Sequence, residues 1–105
     1  MGEAYMTIRD LVRKSINAID ATSGLFYQQN IQEGYSQLEK TLAIISELAH
    51  SLYITEEDDE ELPIDCNNFN AILTDVMNAM EQKDTILMAD ILQYDLKSLL
   101  ENGLK

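Results

Sequence analysis

The chain has no tryptophan, one proline (Pro63), one cysteine (Cys66), one histidine (His50) and only seven lysines and arginines. A single cysteine excludes an internal disulfide and fits a reducing compartment. No apolar run reaches membrane-spanning length and no charged-then-apolar leader is present, so the expectation is a soluble, cytoplasmic, unexported chain. Seven basic residues stand against nineteen acids, a net charge of −12. Such a field repels nucleic-acid phosphate and anionic lipid, and a basic protein partner fits it better. Mimicry of nucleic acid has only the charge in its favour. There is no glycine loop to cradle phosphate and no candidate catalytic triad. The basic side chains outside the first helix are isolated lysines. An enzyme is not expected, and no cofactor is implied.

What is present is helical periodicity. With 46% apolar residues in 105, the chain has material for one domain, residues 1–105, with a modest core. A first helix over about 3–22 aligns Ala4, Tyr5, Ile8, Leu11, Val12, Ile16 and Ile19, and Ser23-Gly24 should break it. A second opens at Asn30, with Glu33 completing a capping-box pattern. Its seam of Ile31, Tyr35, Leu38, Leu42, Ile45, Ala49 and Leu52 alternates spacings of four and three. Gly34 lies beside that seam, where a missing side chain admits another helix. Residues 54–65 carry six consecutive acids and then Pro63, the pattern of a solvated loop. A third helix from about Asp65 to Gln82 places Cys66, Phe69, Ile72, Leu73, Val76, Met77 and Met80 in one sector. Asp84 should cap a fourth helix at Thr85, with Gly103 as its C-terminal cap. No strand and no internal repeat is evident. The fold expected is all-α, an antiparallel up-down-up-down four-helix bundle.

Three features invite chemical readings. Glu47 and His50 form a Glu-x-x-His, the spacing of di-iron bundles, but those sites need two such motifs and two further inward glutamates. The pair projects away from the seam, so no metal site is expected. The acids at 56–61 lack the alternating ligands and central glycine of a calcium loop. Cys66 lies on an apolar face with no histidine near it in sequence, the setting of an inert thiol.

The fourth helix carries the sharpest anomaly. At about 100° per residue, Leu87, Met88, Ile91, Leu92, Leu96 and Leu99 share a broad apolar face, and Asp95 projects inside it. A carboxylate there must be paired, protonated or at an edge. The expectation is a buried Asp95 contacting Arg9, Arg13 or a hydroxyl of Tyr5, Tyr35 or Tyr53, from its own chain or from a dimer mate. Asp90, on the outer stripe, is expected to be dispensable. Leu92, Leu96, Leu99 and Leu100 extend the apolar surface beyond one seam, which points to a second interface and to self-association, a dimer being the simplest form.

The segments "EGYSQLEKTLAIISELA" and "MEQKDTILMADILQYDLKSLLENGL" resemble a family of small acidic bacterial proteins of uncharacterised function. Its closing pattern falls on Glu81, Lys83, Asp84, Leu87, Ala89, Asp90, Ile91, Leu92, Tyr94, Asp95 and Leu96, and the likeness covers roughly residues 30–52 and 80–102. The layout is also similar, architecturally, to flagellin export chaperones. Together these features imply a non-enzymatic, self-associating cytoplasmic interaction module, chaperone- or adaptor-like, that binds a helical protein partner and neither nucleic acid nor membrane. A structural homodimer without a client and a metal-binding bundle stand as the alternatives.

Overall fold

In the computed structural model, residues 7–55 and 64–104 are described; Ala4, Tyr5 and the acidic run at 56–61 lie outside them. Helix α1 (Ile8–Tyr27) begins at Thr7. The Thr7 Oγ1 accepts from the Asp10 amide at 3.0 Å, and the Asp10 carboxylate accepts from the Thr7 amide at 3.3 Å. This closes a capping box and satisfies two otherwise orphaned donors. The helix does not break at Ser23-Gly24. Ser23 turns its hydroxyl back onto the Ile19 carbonyl at 2.6 Å, and the apolar pattern continues to the fully buried Phe26. Burying a phenylalanine stabilises by about 1.5–3 kcal/mol, more than the cost of about 1 kcal/mol for a helical glycine.

Helix α2 (Ile31–Thr55) follows after three residues, and α3 (Cys66–Glu81) opens on Asp65, whose side chain accepts from the Asn67 amide at 3.0 Å. The fourth helical rod has three consecutive parts: α4 (Thr85–Asp90), a π-helical turn (Ile91–Leu96) and α5 (Lys97–Leu104). Asp84 caps it as expected, accepting from the Leu87 amide at 3.1 Å. Gly103 does not cap it. It is a buried residue inside α5 with no positive φ, and a β-carbon there would stand 2.5 Å from Ile64 Cγ1. The architecture is all-α, four helical rods with no strand among the described residues, a four-helix bundle.

The connections from α1 to α2 and from α3 to the closing rod are the same structure. In the first, the Gln28, Gln29 and Asn30 amides donate to the carbonyls of Gly24, Phe26 and Leu25. In the second, Gln82, Lys83 and Asp84 donate to Asn78, Met80 and Ala79, each pair 54 positions later. The central residues, Gln29 (φ 65°) and Lys83 (φ 58°), both adopt the left-handed conformation. Burial repeats at the same spacing, with Ser15, Ala18, Thr22, Gly34 and Leu38 matched by Phe69, Ile72, Val76, Met88 and Leu92. The chain is therefore two equivalent helical hairpins. The repeat is invisible in residue identity because only the backbone of the connection and part of the buried positions keep it; buried Leu11 and Ser23 fall opposite exposed Asp65 and Met77.

Helix α1 runs antiparallel to α2 and to the closing rod, residues 85–104. Tyr27, Asp20 and Arg9 meet Asp90, Lys97 and the Leu104 carbonyl in reverse order along the rod. Helix α3 packs on the closing rod and only thinly on α2. Between α1 and α2 the Thr22 and Thr41 hydroxyls share a 2.7 Å hydrogen bond, and each also faces a carbonyl, Ala18 or Gln37, at 2.9 Å. Gly34 lets Phe26 lie against bare backbone: a β-carbon would come within 2.6 Å of its ring. The Phe26 ring meets Tyr35 edge-on at 5.3 Å.

Candidate functional site

The π-turn decides where Asp95 goes. At its end the Lys97 amide donates to the Leu92 carbonyl, five residues back rather than four. Such a turn holds one extra residue, so everything after it lags an α-helix by roughly one residue's rotation, about 100°. Leu92, Leu96 and Leu100 then all face the core and are fully buried. Asp95 swings out of the apolar sector and is exposed.

Within the described chain Asp95 is therefore not a buried, paired carboxylate. Arg9 donates instead to the Leu104 carbonyl at 3.2 Å, and Arg13 lies 3.7 Å from Asp10. Of the tyrosines weighed, Tyr35 packs on Phe26 and Tyr53 is 71% exposed. The acid that does take a tyrosine is Asp90, accepting from the Tyr27 hydroxyl at 2.5 Å. Partial burial and the Asp90 carboxylate raise the Tyr27 phenol well above its ordinary pKa. Lys97 binds Asp20 at 2.8 Å, and that hydrogen bond raises its pKa too.

The leucines assigned to a second interface also change role. Leu92, Leu96 and Leu100 fill the chain's own core and Leu99 is half-buried, so the surface on which self-association was argued is used internally. Ile31 (40%), Met77 (45%) and Leu87 (42%), expected to face inward, are exposed.

An open groove of about 460 Å3 runs between α3 and the closing rod beside the π-turn. Its lining is mostly polar, from Asn68, Asp75, Tyr94, Asp95 and Asn102, and Ala71, Ile72 and Leu99 form a small apolar floor. Tyr94 is 66% exposed. None of the described residues lining the groove is Lys, Arg or His, and neither carboxylate has a hydrogen-bond or ion-pair partner among them. A smaller depression of about 220 Å3, lined by Leu25, Glu33, Ser36, Gln37 and Lys40, holds both signs of charge. The larger groove presents acceptors, an aromatic ring and an apolar floor to a cationic group.

Asp75, Tyr94 and the groove itself were missed from sequence, although a signal existed. Met88, Leu92, Leu96 and Leu100 are spaced by four three times in succession, which a straight α-helix cannot hold on one line. Glu47 and His50 are exposed on α2, and no group of three or more metal-ligating side chains occurs among the described residues. Cys66, half-buried, starts α3. No helix among the described residues is long and apolar enough to cross a membrane.

No curated protein and no solved structure matches the chain. A family profile described as a domain of unknown function (DUF8042) matches residues 3–103, nearly the whole length. The chain belongs to that family, DUF8042.

Proposed function

We propose that this chain is a non-enzymatic interaction module whose groove between α3 and the closing rod takes a basic, amphipathic helical segment of a partner protein. The observation that carries this reading is the groove's chemistry: two unpaired carboxylates and an exposed tyrosine over an apolar floor. An amphipathic helix offers the complement, with lysine or arginine for Asp75 and Asp95 and an apolar stripe for Ile72 and Leu99. An arginine could also stack on Tyr94. The net charge of −12 speeds the encounter with such a segment and opposes a second copy of the chain as occupant.

The test is a nuclear magnetic resonance titration at physiological salt with a Leu/Lys amphipathic peptide of about 18 residues, long enough to form a helix. Amide shifts should concentrate at Asn68, Ala71, Asp75, Tyr94, Asp95 and Asn102, and a Leu/Glu peptide should cause none. Shifts spread over the acidic surface, or confined to α1 and α2, would overturn the reading.

A further inference from the structure

The equivalence of the two hairpins holds at a spacing of 54 as far as Leu38 and Leu92. Beyond the π-turn it resumes at 55, where buried Thr41, Ile45 and Leu48 match buried Leu96, Leu100 and Gly103. Half-buried Ile44 and Ala49 likewise match Leu99 and Leu104. One residue has entered the second hairpin between these registers. Between buried Leu38 and buried Thr41, α2 has two residues, exposed Glu39 and Lys40; between buried Leu92 and buried Leu96 the closing rod has three, Gln93, Tyr94 and Asp95. One of those three has no counterpart.

We infer that the segment 93–95 carries a one-residue insertion, that the π-turn is the form in which the closing rod absorbs it, and that the Asp95 carboxylate in that lengthened segment sets the groove's selectivity for a cationic side chain. The selectivity clause rests on the function proposed above; the insertion does not. A π-turn accommodates one extra residue without disturbing the helix beyond it, which is why Leu96, Leu100 and Gly103 remain in the core. The lengthened segment places Tyr94 and Asp95 in the groove that Asp75 also lines. The first hairpin has neither element. The equivalent of Asp75 is Ala21, and only Glu39 and Lys40 stand where the closing rod has Gln93, Tyr94 and Asp95. The acidic character of this wall therefore arises on the hairpin that carries the insertion.

Two deletions test the insertion. Removing Asp95 should restore a continuous α-helix in register, with the helical circular-dichroism signal retained and a melting temperature at or above that of the natural chain. Removing Ser98 shortens the same rod equally but turns Leu99, Leu100 and Gly103 off the core, and should lower the melting temperature by about 5 °C or more. Equal destabilisation by the two deletions would overturn the insertion and leave the groove reading untouched.

Selectivity is read separately with the Leu/Lys peptide. Asp95→Asn, which keeps shape and removes charge, should weaken binding about fivefold, in the range of a partly exposed ion pair. Glu47→Gln, the same charge change on exposed α2, should weaken it less than about twofold, by loss of long-range field alone. Equal effects of the two substitutions would overturn the selectivity assignment while the deletion result stands on its own.

Discussion

In the first hairpin, α2 runs as 25 residues of unbroken α-helix, and a buried hydroxyl pair, Thr22 with Thr41, holds it in register on α1. In the second, the rod after the matching connection is wound for six residues as a π-turn, and leucines occupy the buried line, with Leu96 where α2 has Thr41. The contrast lies in what fixes register. A hydroxyl pair with carbonyl partners has one satisfied geometry, so slipping one residue strands polar groups in the core. Leucines spaced by four can be brought back into line after an extra residue, because apolar packing is less directional than hydrogen bonding. The hairpin with the polar seam stayed regular, and the hairpin with the apolar seam absorbed an insertion and gained a groove.

The comparison can be broken hardest at Gly34. Its counterpart in the second hairpin is Met88, so the two hairpins fill the same position with nothing and with a long side chain. Gly34→Ala drives a β-carbon to within 2.6 Å of the buried Phe26 ring. Overpacking of that kind costs about 1–3 kcal/mol and should outweigh the helix-propensity gain of about 1 kcal/mol. Chemical denaturation should therefore show a net loss, and the loss should disappear or reverse in a Phe26→Leu background. Met88→Leu, a swap of similar volume, should cost less than about 1.5 kcal/mol.

Thr41→Val comes next. It removes one member of the hydroxyl pair and leaves Thr22 bonded to the Ala18 carbonyl, so the expected cost is about 1 kcal/mol by the same denaturation measurement. A value near zero would mean that the polar seam does not hold register in the first hairpin.

The contacts from α1 to the closing rod predict a pH dependence. Tyr27 and Lys97 both have pKa values raised by folding. The folded state thus holds their protons more tightly, and the stabilisation is complete below the unfolded-state values of 10.0 and 10.5. It is lost as pH rises through the folded values. Melting temperature should be level from neutral pH to about 10 as far as these groups contribute, then decline, and Tyr27→Phe with Lys97→Met should flatten that decline. Both groups are at the surface and solvent-screened, so the effect is smaller than those above.

The smallest effect is expected at Ser15, whose hydroxyl is fully buried without a hydrogen-bond partner among the described residues. Ser15→Ala removes an unsatisfied group and should leave the melting temperature unchanged or raise it, by at most about 1 kcal/mol in stability. A clear loss would reveal a partner for that hydroxyl.

The sequence carried what local rules control. Asp84 caps the helix it was expected to cap, the third helix starts at the expected Asp65, and Gly34 stands where a close approach was expected, with Phe26 as the group that approaches. Where tertiary packing overrides a local signal, expectation and structure part. Ser23-Gly24 should end α1, but Phe26 beyond it reaches the core; Gly103 resembles a cap, but Ile64 needs its missing side chain. Asp95 failed for a different reason. A wheel drawn at constant pitch assigns every later residue a phase, and one wide turn shifts all of them at once. The candidate groove followed from that shift, so it could not be placed before the turn was seen.

The most direct test is the hydrogen bond that closes the π-turn, read as a scalar coupling across it by nuclear magnetic resonance. A coupling from the Lys97 amide nitrogen to the Leu92 carbonyl carbon is predicted. A coupling to the Gln93 carbonyl instead would mean a continuous α-helix, return Asp95 to the apolar face, and contradict both the insertion and the groove built on it.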